Sequence, residues 1–279
     1  MPKRFLLYLL MSFAVGCNSK DESKFGPLPE GSESRDEASP DALAIVKSSL
    51  EAHGGDVFRN LKAGQITVFT LGYPAPRSRD EITTVFTFQF PDQLRVSEVH
   101  TVTSTDPTVT TRTWHRMYLR DRGHAWKDDG DGVFESTTEL RRIEFHYPLR
   151  LIDELQMVND GGLSPNYGGD VEVDGRTLTV IRLTRDGKAV SEVSFDKSTK
   201  LIAKISSAAY NPKAGRLGRS ETFYSDYRSF SGLMLPARMV TYFDGEKFVE
   251  MTLREFKAMD HVDPKEFVPG KSQQGKTTK

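Results

Sequence analysis

The sequence predicts a single α+β domain built on one highly curved antiparallel sheet of about 10–11 strands. Three observations predict it: many short segments with a two-residue hydrophobic period, Asp-Gly pairs between several of them, and two amphipathic helical segments. Asp-Gly suits the type I′ turn of a β-hairpin because both central residues need positive φ. No repeat of about 20–50 residues is present, which disfavours a propeller or a solenoid. A sheet of this size can enclose an apolar cavity, with helices packed on or plugging its concave side.

The composition is that of an ordinary globular protein. The chain has 279 residues, and 38 Lys and Arg residues balance 39 Asp and Glu residues. This near-zero net charge argues against a nucleic-acid partner, which usually requires a clearly basic face. The single cysteine excludes a disulfide within the chain and any zinc or iron–sulfur site that needs several cysteines.

Residues 1–16 predict an export signal peptide. Two basic residues precede an apolar run, Phe5–Val15, whose 11 residues are too few to span a bilayer. The stretch Ala14-Val15-Gly16-Cys17 resembles the lipobox of bacterial lipoproteins, in which the cysteine thiol is acylated. Ala14 replaces the usual leucine, and a plain secreted protein is the alternative. The resemblance implies that membrane lipid holds the mature chain through Cys17, whose acyl groups would be of the palmitate type.

Residues 17–38 predict a flexible tether between this anchor and the folded part. The segment is rich in Ser, Glu, Asp, Gly and Pro, so it cannot bury enough apolar surface to offset the entropy of ordering. Asn18 after the cysteine favours the outer membrane over the inner one. We expect one folded domain over residues 39–269 and a disordered tail over residues 270–279.

The first helix is predicted to begin at Ser39-Pro40, where Ser39 serves as the N-cap and Pro40 as the first helical residue. Its apolar residues recur at helical spacing, at Ala42, Leu43, Ile45, Val46 and Leu50. Gly54-Gly55 ends it, because glycine takes the left-handed C-terminal position at least cost. A short turn and then the strands follow, from Gln65–Leu71 to Lys247–Phe256.

A second helical segment interrupts the strands. Ser136–Glu139 has the pattern of a capping box. The apolar residues that follow at helical spacing are Leu140, Ile143 and Tyr147, then Leu151, Ile152 and Leu155. Pro148 breaks or restarts this helix. We expect Asn159–Gly169 to be a glycine-rich loop.

Catalytic and metal-binding patterns are missing from the sequence. The six histidines do not form a zinc motif, and His115 and His124 are interpreted as surface or packing residues. The acidic stretch Asp128–Gly132 resembles part of a calcium loop, but Lys127 and Thr138 would occupy its first and twelfth positions, so a hairpin turn is the better interpretation. We therefore expect no enzyme, no metal and no cofactor.

Three aromatic residues share one face of a predicted strand. Phe86, Phe88 and Phe90 alternate with more polar residues in Glu81–Phe90. They could line a ligand cavity or form an ordinary sheet core, and the sequence leaves both interpretations open.

Four stretches, in this order along the chain, resemble the periplasmic lipoprotein carrier and outer-membrane lipoprotein receptor superfamily, the LolA/LolB-like fold. They are Ala52–Gly55, Phe90–Val96 followed by Gly123–Trp126, Val193–Leu201, and Tyr224–Arg228 followed by Gly232–Pro236. The resemblance implies an incomplete antiparallel barrel closed by helices, with an apolar cavity for acyl chains. It makes a set of apolar residues candidate cavity residues: Phe86, Phe88, Phe90, Leu140, Ile143 and Leu151.

The resemblance implies a membrane-anchored, non-enzymatic lipoprotein of the bacterial cell envelope that faces the periplasm. Its cargo would be the acyl chains of a lipid or lipoprotein. The alternative is an envelope sensor or interaction subunit that uses the same fold to bind a protein partner. The superfamily's carrier has an arginine at the position that Phe90 occupies in this chain. The carrier also has no lipid anchor, whereas this chain is expected to have one at Cys17.

Overall fold

A computed structural model describes residues 40–72, 78–90, 93–104, 112–122, 124–136, 149–211 and 216–269. The signal peptide, Cys17, the tether and the C-terminal tail lie outside the described residues. The same is true of Leu140 and Ile143, two of the candidate cavity residues.

Within the described ranges, three α-helices and one 3₁₀ segment accompany the sheet. The helices are α1 (Pro40–Ala52), α2 (Asp56–Arg59) and α3 (Leu149–Asn159), and the 3₁₀ segment is Pro264–Phe267. The predicted first helix is confirmed, and the short turn expected after it is the one-turn helix α2. In α1 the buried stripe is Ala42, Val46 and Leu50, while Leu43 and Ile45 are partly buried beside it.

The strands of the described residues form one sheet of 13 strands. They are β1 (Ala63–Gly72), β2 (Ser78–Gln89), β3 (Gln93–Ser104), β4 (Arg112–Asp121), β5 (His124–Asp128), β6 (Glu135–Ser136), β7 (Ser164–Val173), β8 (Arg176–Arg185), β9 (Lys188–Asp196), β10 (Ile202–Asn211), β11 (Arg216–Phe230), β12 (Leu233–Phe243) and β13 (Glu246–Met259). The strand order is β6-β5-β4-β3-β2-β1-β13-β12-β11-β10-β9-β8-β7, and every described pairing is antiparallel.

Strand β1 pairs with β13, which places the first and last described strands side by side in the middle of the sheet, with Ile66 opposite Phe256. Among the described strands, β6 and β7 are the two edges of the sheet, and they are successive strands in the chain. Helix α3 lies between them in the sequence. The fold is therefore the curved, open antiparallel barrel with helices that the sequence predicts, with 13 strands where about 10–11 were expected.

The two faces of the sheet bury different parts of the chain. We call the face that packs with α1 and α3 the inner face. Its apolar side chains join those of both helices in one core cluster that contains residues from β1 to β13. The opposite, outer face carries cross-strand ion pairs, such as that between Arg182 and Glu192, and one small apolar cluster. This division follows from the two-residue period of the strands.

The end of the domain folds back onto the outer face. Phe267 of the 3₁₀ segment is fully buried with Ala63 and Val262. The backbone N–H of Val262 donates to the Gln89 side chain at 2.9 Å, and Arg95 of β3 forms an ion pair with Glu266. Residues 260–269 therefore act as a strap across the ends of β1 to β4.

Hairpin turns and one glycine-rich strand test the local predictions. The Asp-Gly pairs at 174–175, 186–187 and 244–245 all have positive φ at both residues, as the type I′ prediction requires. The loop expected over Asn159–Gly169 is wrong from Ser164 onward, where β7 begins. Gly168 permits this strand because a Cβ there would lie 3.2 Å from the Val180 carbonyl oxygen. Glycine suggested a loop, but here it allows a close backbone approach.

None of the helices in the described ranges is long and apolar enough to span a bilayer.

Candidate functional site

The candidate site is the inner face of the sheet, because it gathers the largest apolar surface of the domain. Direct cross-strand partners make this face a series of rows across β1 to β4. One row consists of Ile66, Phe86, Val96 and Tyr118, and all four side chains are buried. The neighbouring row contains Phe88 and Leu94. These rows form an apolar wall at one end of the inner face.

Helix α3 packs beside α1, and its apolar side supplies further residues to the core. Its buried residues are Leu151, Ile152, Leu155 and Val158, which lie on one side of the helix at spacings of three and four. All four belong to the same core cluster as Phe86 and Phe88. The helix side chains and the apolar wall are therefore parts of one buried core.

The predicted cavity residues that the structure describes lie in this region. Phe86 and Phe88 are 1% and 2% exposed, and Phe90 is partly buried with its ring centroid 5.1 Å from that of Phe88. Leu151 is fully buried on α3. The structure thus brings the three aromatic residues and Leu151 into one core, and a role in holding a ligand remains a proposal.

The inner face becomes polar toward the opposite end of the same strands. The next row pairs Thr84 with Glu98 and Glu98 with Arg116, and the row after it pairs His100 with Trp114. The His100 Nε2 atom lies 3.0 Å from a Glu98 carboxylate oxygen. The His100 ring stacks on Trp114 with a centroid distance of 4.9 Å. A charged, hydrogen-bonded group therefore adjoins the apolar wall.

Two cations and one carboxylate form a compact group at the β4–β5 side of this polar end. The Arg116 Nε atom donates to Asp129 at 3.0 Å, and the Lys127 Nζ atom lies 3.2 Å from the other Asp129 oxygen. Lys127 is the direct partner of Tyr118, so both cations are on the inner face. We call Arg116 and Lys127 the cation pair.

The turn that carries Asp129 is held against β4. One Asp128 carboxylate oxygen accepts from the backbone N–H groups of Gly130, Asp131 and Gly132 at 2.8–3.1 Å. Gly130 has a φ of 108°, and a Cβ there would lie 2.7 Å from the His115 carbonyl oxygen. This network confirms the interpretation of Asp128–Gly132 as a turn.

The electrostatics of Arg116 reflect this setting. Burial acts to lower the pKa of Arg116, but Tyr118, Glu98 and Asp129 outweigh it and raise the pKa above its ordinary value. Arg116 therefore stays a cation in a site that is mostly removed from water.

Two of the four stretches that carry the family resemblance meet in the structure and lock α1 to the sheet. The backbone N–H of Met234 donates to the His53 carbonyl oxygen at 3.0 Å, and the His53 ring contacts Tyr227 edge-on at 5.6 Å. The Tyr227 hydroxyl donates to the Ile202 carbonyl oxygen at 2.6 Å. A Cβ on Gly54 would lie 2.9 Å from the Gly232 carbonyl oxygen. These contacts fix the C-terminal end of α1 against the β11–β12 hairpin and so stabilise the fold.

His53 is a neutral core residue. Its Nδ1 atom lies 2.8 Å from the Ser49 carbonyl oxygen, which can only accept, so Nδ1 carries the proton. Burial lowers the pKa of His53 to about 4, and the bond to Ser49 offsets part of this shift. A third stretch is also structural, since one Asp196 oxygen accepts from the backbone of Ser198 and Thr199, at 2.9 Å each.

Sequence reasoning did not identify Glu98, His100 and Arg116 as part of the site. A signal was present, because Glu98 and His100 continue the even-numbered positions of Leu94 and Val96, which face the core. His115 and His124 are exposed, as expected for surface residues. Among the residues that the structure describes, no group of three or more His, Cys, Asp or Glu side chains could hold a metal ion.

The chain matches no protein-family model and no curated protein sequence. It is similar in structure to a putative outer membrane lipoprotein-sorting protein domain from Vibrio parahaemolyticus, at 10% identity and a TM-score of 0.47, over 81% of this chain and 96% of that one. A DUF1329 family protein from Desulfovibrio piger shows 12% identity and a TM-score of 0.47 over 81% and 97%.

A LolA superfamily protein from Nitrosomonas europaea shows 15% identity and a TM-score of 0.43, over 80% of this chain and 97% of that one. The strand order and register described above, and not these similarities, define the fold of this chain.

Proposed function

We propose that this protein is a membrane-anchored, non-enzymatic binding protein of the bacterial envelope, which holds an acyl chain of a lipid or lipoprotein against the inner face of its sheet. The observation that carries the proposal is the position of α3. Its apolar side chains share one core with the apolar wall, yet the helix lies in the sequence between the edge strands β6 and β7 and is not part of the sheet. It can therefore move without breaking a strand pairing.

When an acyl chain replaces α3, the free energy lost by exposing the helix and the free energy gained by burying the chain are similar. Exposing the four buried aliphatic side chains of α3 costs about 6–12 kcal/mol, at roughly 1.5–3 kcal/mol each. An acyl chain of about 14 methylenes recovers about 11 kcal/mol when it takes their place, at roughly 0.8 kcal/mol per methylene. Cargo can thus replace the helix at little net cost, which suits reversible binding.

The lipid anchor expected at Cys17 supports a location at a membrane surface of the envelope. Acylation of Cys17 would hold the domain near a membrane surface, where the tether of residues 17–38 would let it reach lipid. Leu140 and Ile143 precede α3 in the sequence, and we propose them as further residues that contact the acyl chain.

The test is native mass spectrometry of the full chain carrying Cys17→Ser, purified from envelopes, followed by titration with a fluorescent long-chain alcohol. The substitution separates bound lipid from attached acyl groups. We expect bound lipid or saturable uptake of the probe. Hydrogen exchange should show lost protection in α3 on binding, with none lost in the 3₁₀ segment Pro264–Phe267. No bound lipid together with no uptake of the probe would overturn the proposal.

A second candidate function is the binding of a protein partner, and the free edge strand β7 favours it. Tyr167 and Val171 on this strand are exposed, and β7 pairs only with β8 within the described ranges. Exposed sheet edges can accept a strand from another chain. Recovery of a stoichiometric protein from solubilised envelopes, with no bound lipid, would favour this function over lipid binding.

A further inference from the structure

We propose that the cation pair Arg116 and Lys127 binds the anionic head group of the cargo, so that the protein selects amphiphiles with a negative head over neutral ones. This inference rests on the proposed acyl-chain function and adds the chemical class of the ligand. The head group would take the place that the Asp129 carboxylate occupies in the present conformation.

The first argument is geometric. Arg116 and Lys127 come from neighbouring strands, and the two oxygens of one carboxylate already bridge them at 3.0 and 3.2 Å. Two cations placed on either side of one oxyanion provide the donor arrangement that carboxylate and phosphate groups require. The pair is therefore already set for an anion.

The second argument is the difference in burial between the partners. The side chains of Arg116 and Lys127 are 13% and 21% exposed, whereas that of Asp129 is 45% exposed on a surface turn. Asp129 can return to water at little cost when it leaves, because an exposed carboxylate is well solvated. The cations cannot, so they gain from any anion that replaces it. This asymmetry makes Asp129 a displaceable occupant.

The third argument is position. Lys127 is the direct cross-strand partner of Tyr118, which ends the buried row that contains Phe86. The cation pair thus borders the apolar wall on the same face. One molecule with an apolar chain and a charged head can contact both, whereas a free inorganic anion would use only the cation pair.

Glu98 does not fill the role of Asp129. Its carboxylate lies 3.0 Å from His100, in the row between Thr84 and Arg116, and its side chain is 13% exposed. It is buried beside His100, whereas the Nε atom of Arg116 donates to Asp129.

The experiment compares two probes that differ only in the head group, hexadecyl phosphate and hexadecanol, bound to the full chain at about pH 8, where the phosphate is fully ionised. We expect the phosphate to bind at least 10-fold more tightly. Lys127→Gln should remove most of this preference, so that the two probes bind with similar affinity. Asp129→Asn should raise the affinity for the phosphate about 3- to 10-fold by removing the internal competitor.

The matched control is Lys204→Gln. Lys204 is 24% exposed and lies 3.1 Å from Glu221, so it resembles Lys127 in burial and pairing, but it is on the outer face. This variant should keep the full preference for the phosphate. Inorganic phosphate has no apolar chain, so at millimolar concentration it should not displace hexadecyl phosphate.

The outcomes separate the two proposals. Equal affinity for the two probes overturns the inference on the head group and leaves the acyl-chain function standing. Binding of neither probe overturns both proposals. A loss of preference with Lys204→Gln as large as with Lys127→Gln, or competition by inorganic phosphate alone, overturns the inference as well, because the effect would then come from general charge or from a free-anion site.

Discussion

Replacing Gly54 by alanine tests whether the family-like stretches lock α1 to the sheet. Gly54 has a φ of 131°, a conformation that costs a residue with a side chain about 1–3 kcal/mol. The new Cβ would also lie 2.9 Å from both the Gly232 carbonyl oxygen and a Leu233 methyl group. The oxygen belongs to a tight turn that cannot move freely, so we expect a total loss of about 2–4 kcal/mol in the free energy of unfolding.

Gly161→Ala is the matched control for this change. Gly161 also has positive φ, at 76°, but nothing lies within 4 Å of a Cβ at that position. It should cost only about 1 kcal/mol, from the backbone alone. The assay is urea and thermal unfolding of both variants, and Gly54→Ala should lower the midpoint by about 5–15 °C for a domain of this size. Equal losses in the two variants would refute the contact between the two stretches.

Three further predictions follow from the core and its buried groups. Phe86→Leu and Phe267→Leu should each lower unfolding free energy by about 1–2 kcal/mol, but only Phe86→Leu, on the inner face, should weaken binding of a fluorescent acyl probe; equal weakening would contradict the site. His53 has a pKa of about 4 when folded against 6.5 in its ordinary state, so its neutral form stabilises the fold above pH 6.5 and stability falls by about 3 kcal/mol as the pH drops to 4. His53→Gln should flatten that part of the curve of unfolding midpoint against pH, and an unchanged slope would assign it to other groups. Asp196→Ala should cost about 1–3 kcal/mol in urea unfolding by releasing its turn bonds, and a loss below about 0.5 kcal/mol would show that the turn forms without them.

The candidate site was predictable in part. The alternation in Glu81–Phe90 predicts that Phe86 and Phe88 share a face, and the structure buries both in the core. The cation pair was not predictable, because it depends on Lys127 being the cross-strand partner of Tyr118. Strand register on β5 is not visible in a segment of five residues with no clear alternation.

The contacts around His53 were also not predictable from the sequence. The sequence indicates that Gly54 ends a helix and that Gly232 lies in a turn, since both statements depend only on local backbone preference. It does not indicate that the two glycines touch, because they are far apart along the chain. Only the paths of α1 and of the β11–β12 hairpin bring them together.

The sequence by itself determined the local elements of this protein: the period of the strands, the Asp-Gly turns, the extent of α1, and the shared face of Phe86 and Phe88. These features depend on a residue and its near neighbours, whose sterics and hydrophobic spacing are written in the chain. The tertiary structure decided the pairing of β1 with β13, the opening between β6 and β7, and the placement of Asp129 between two cations. Those features depend on which distant strands meet, and that is set by how the whole sheet best buries its inner face.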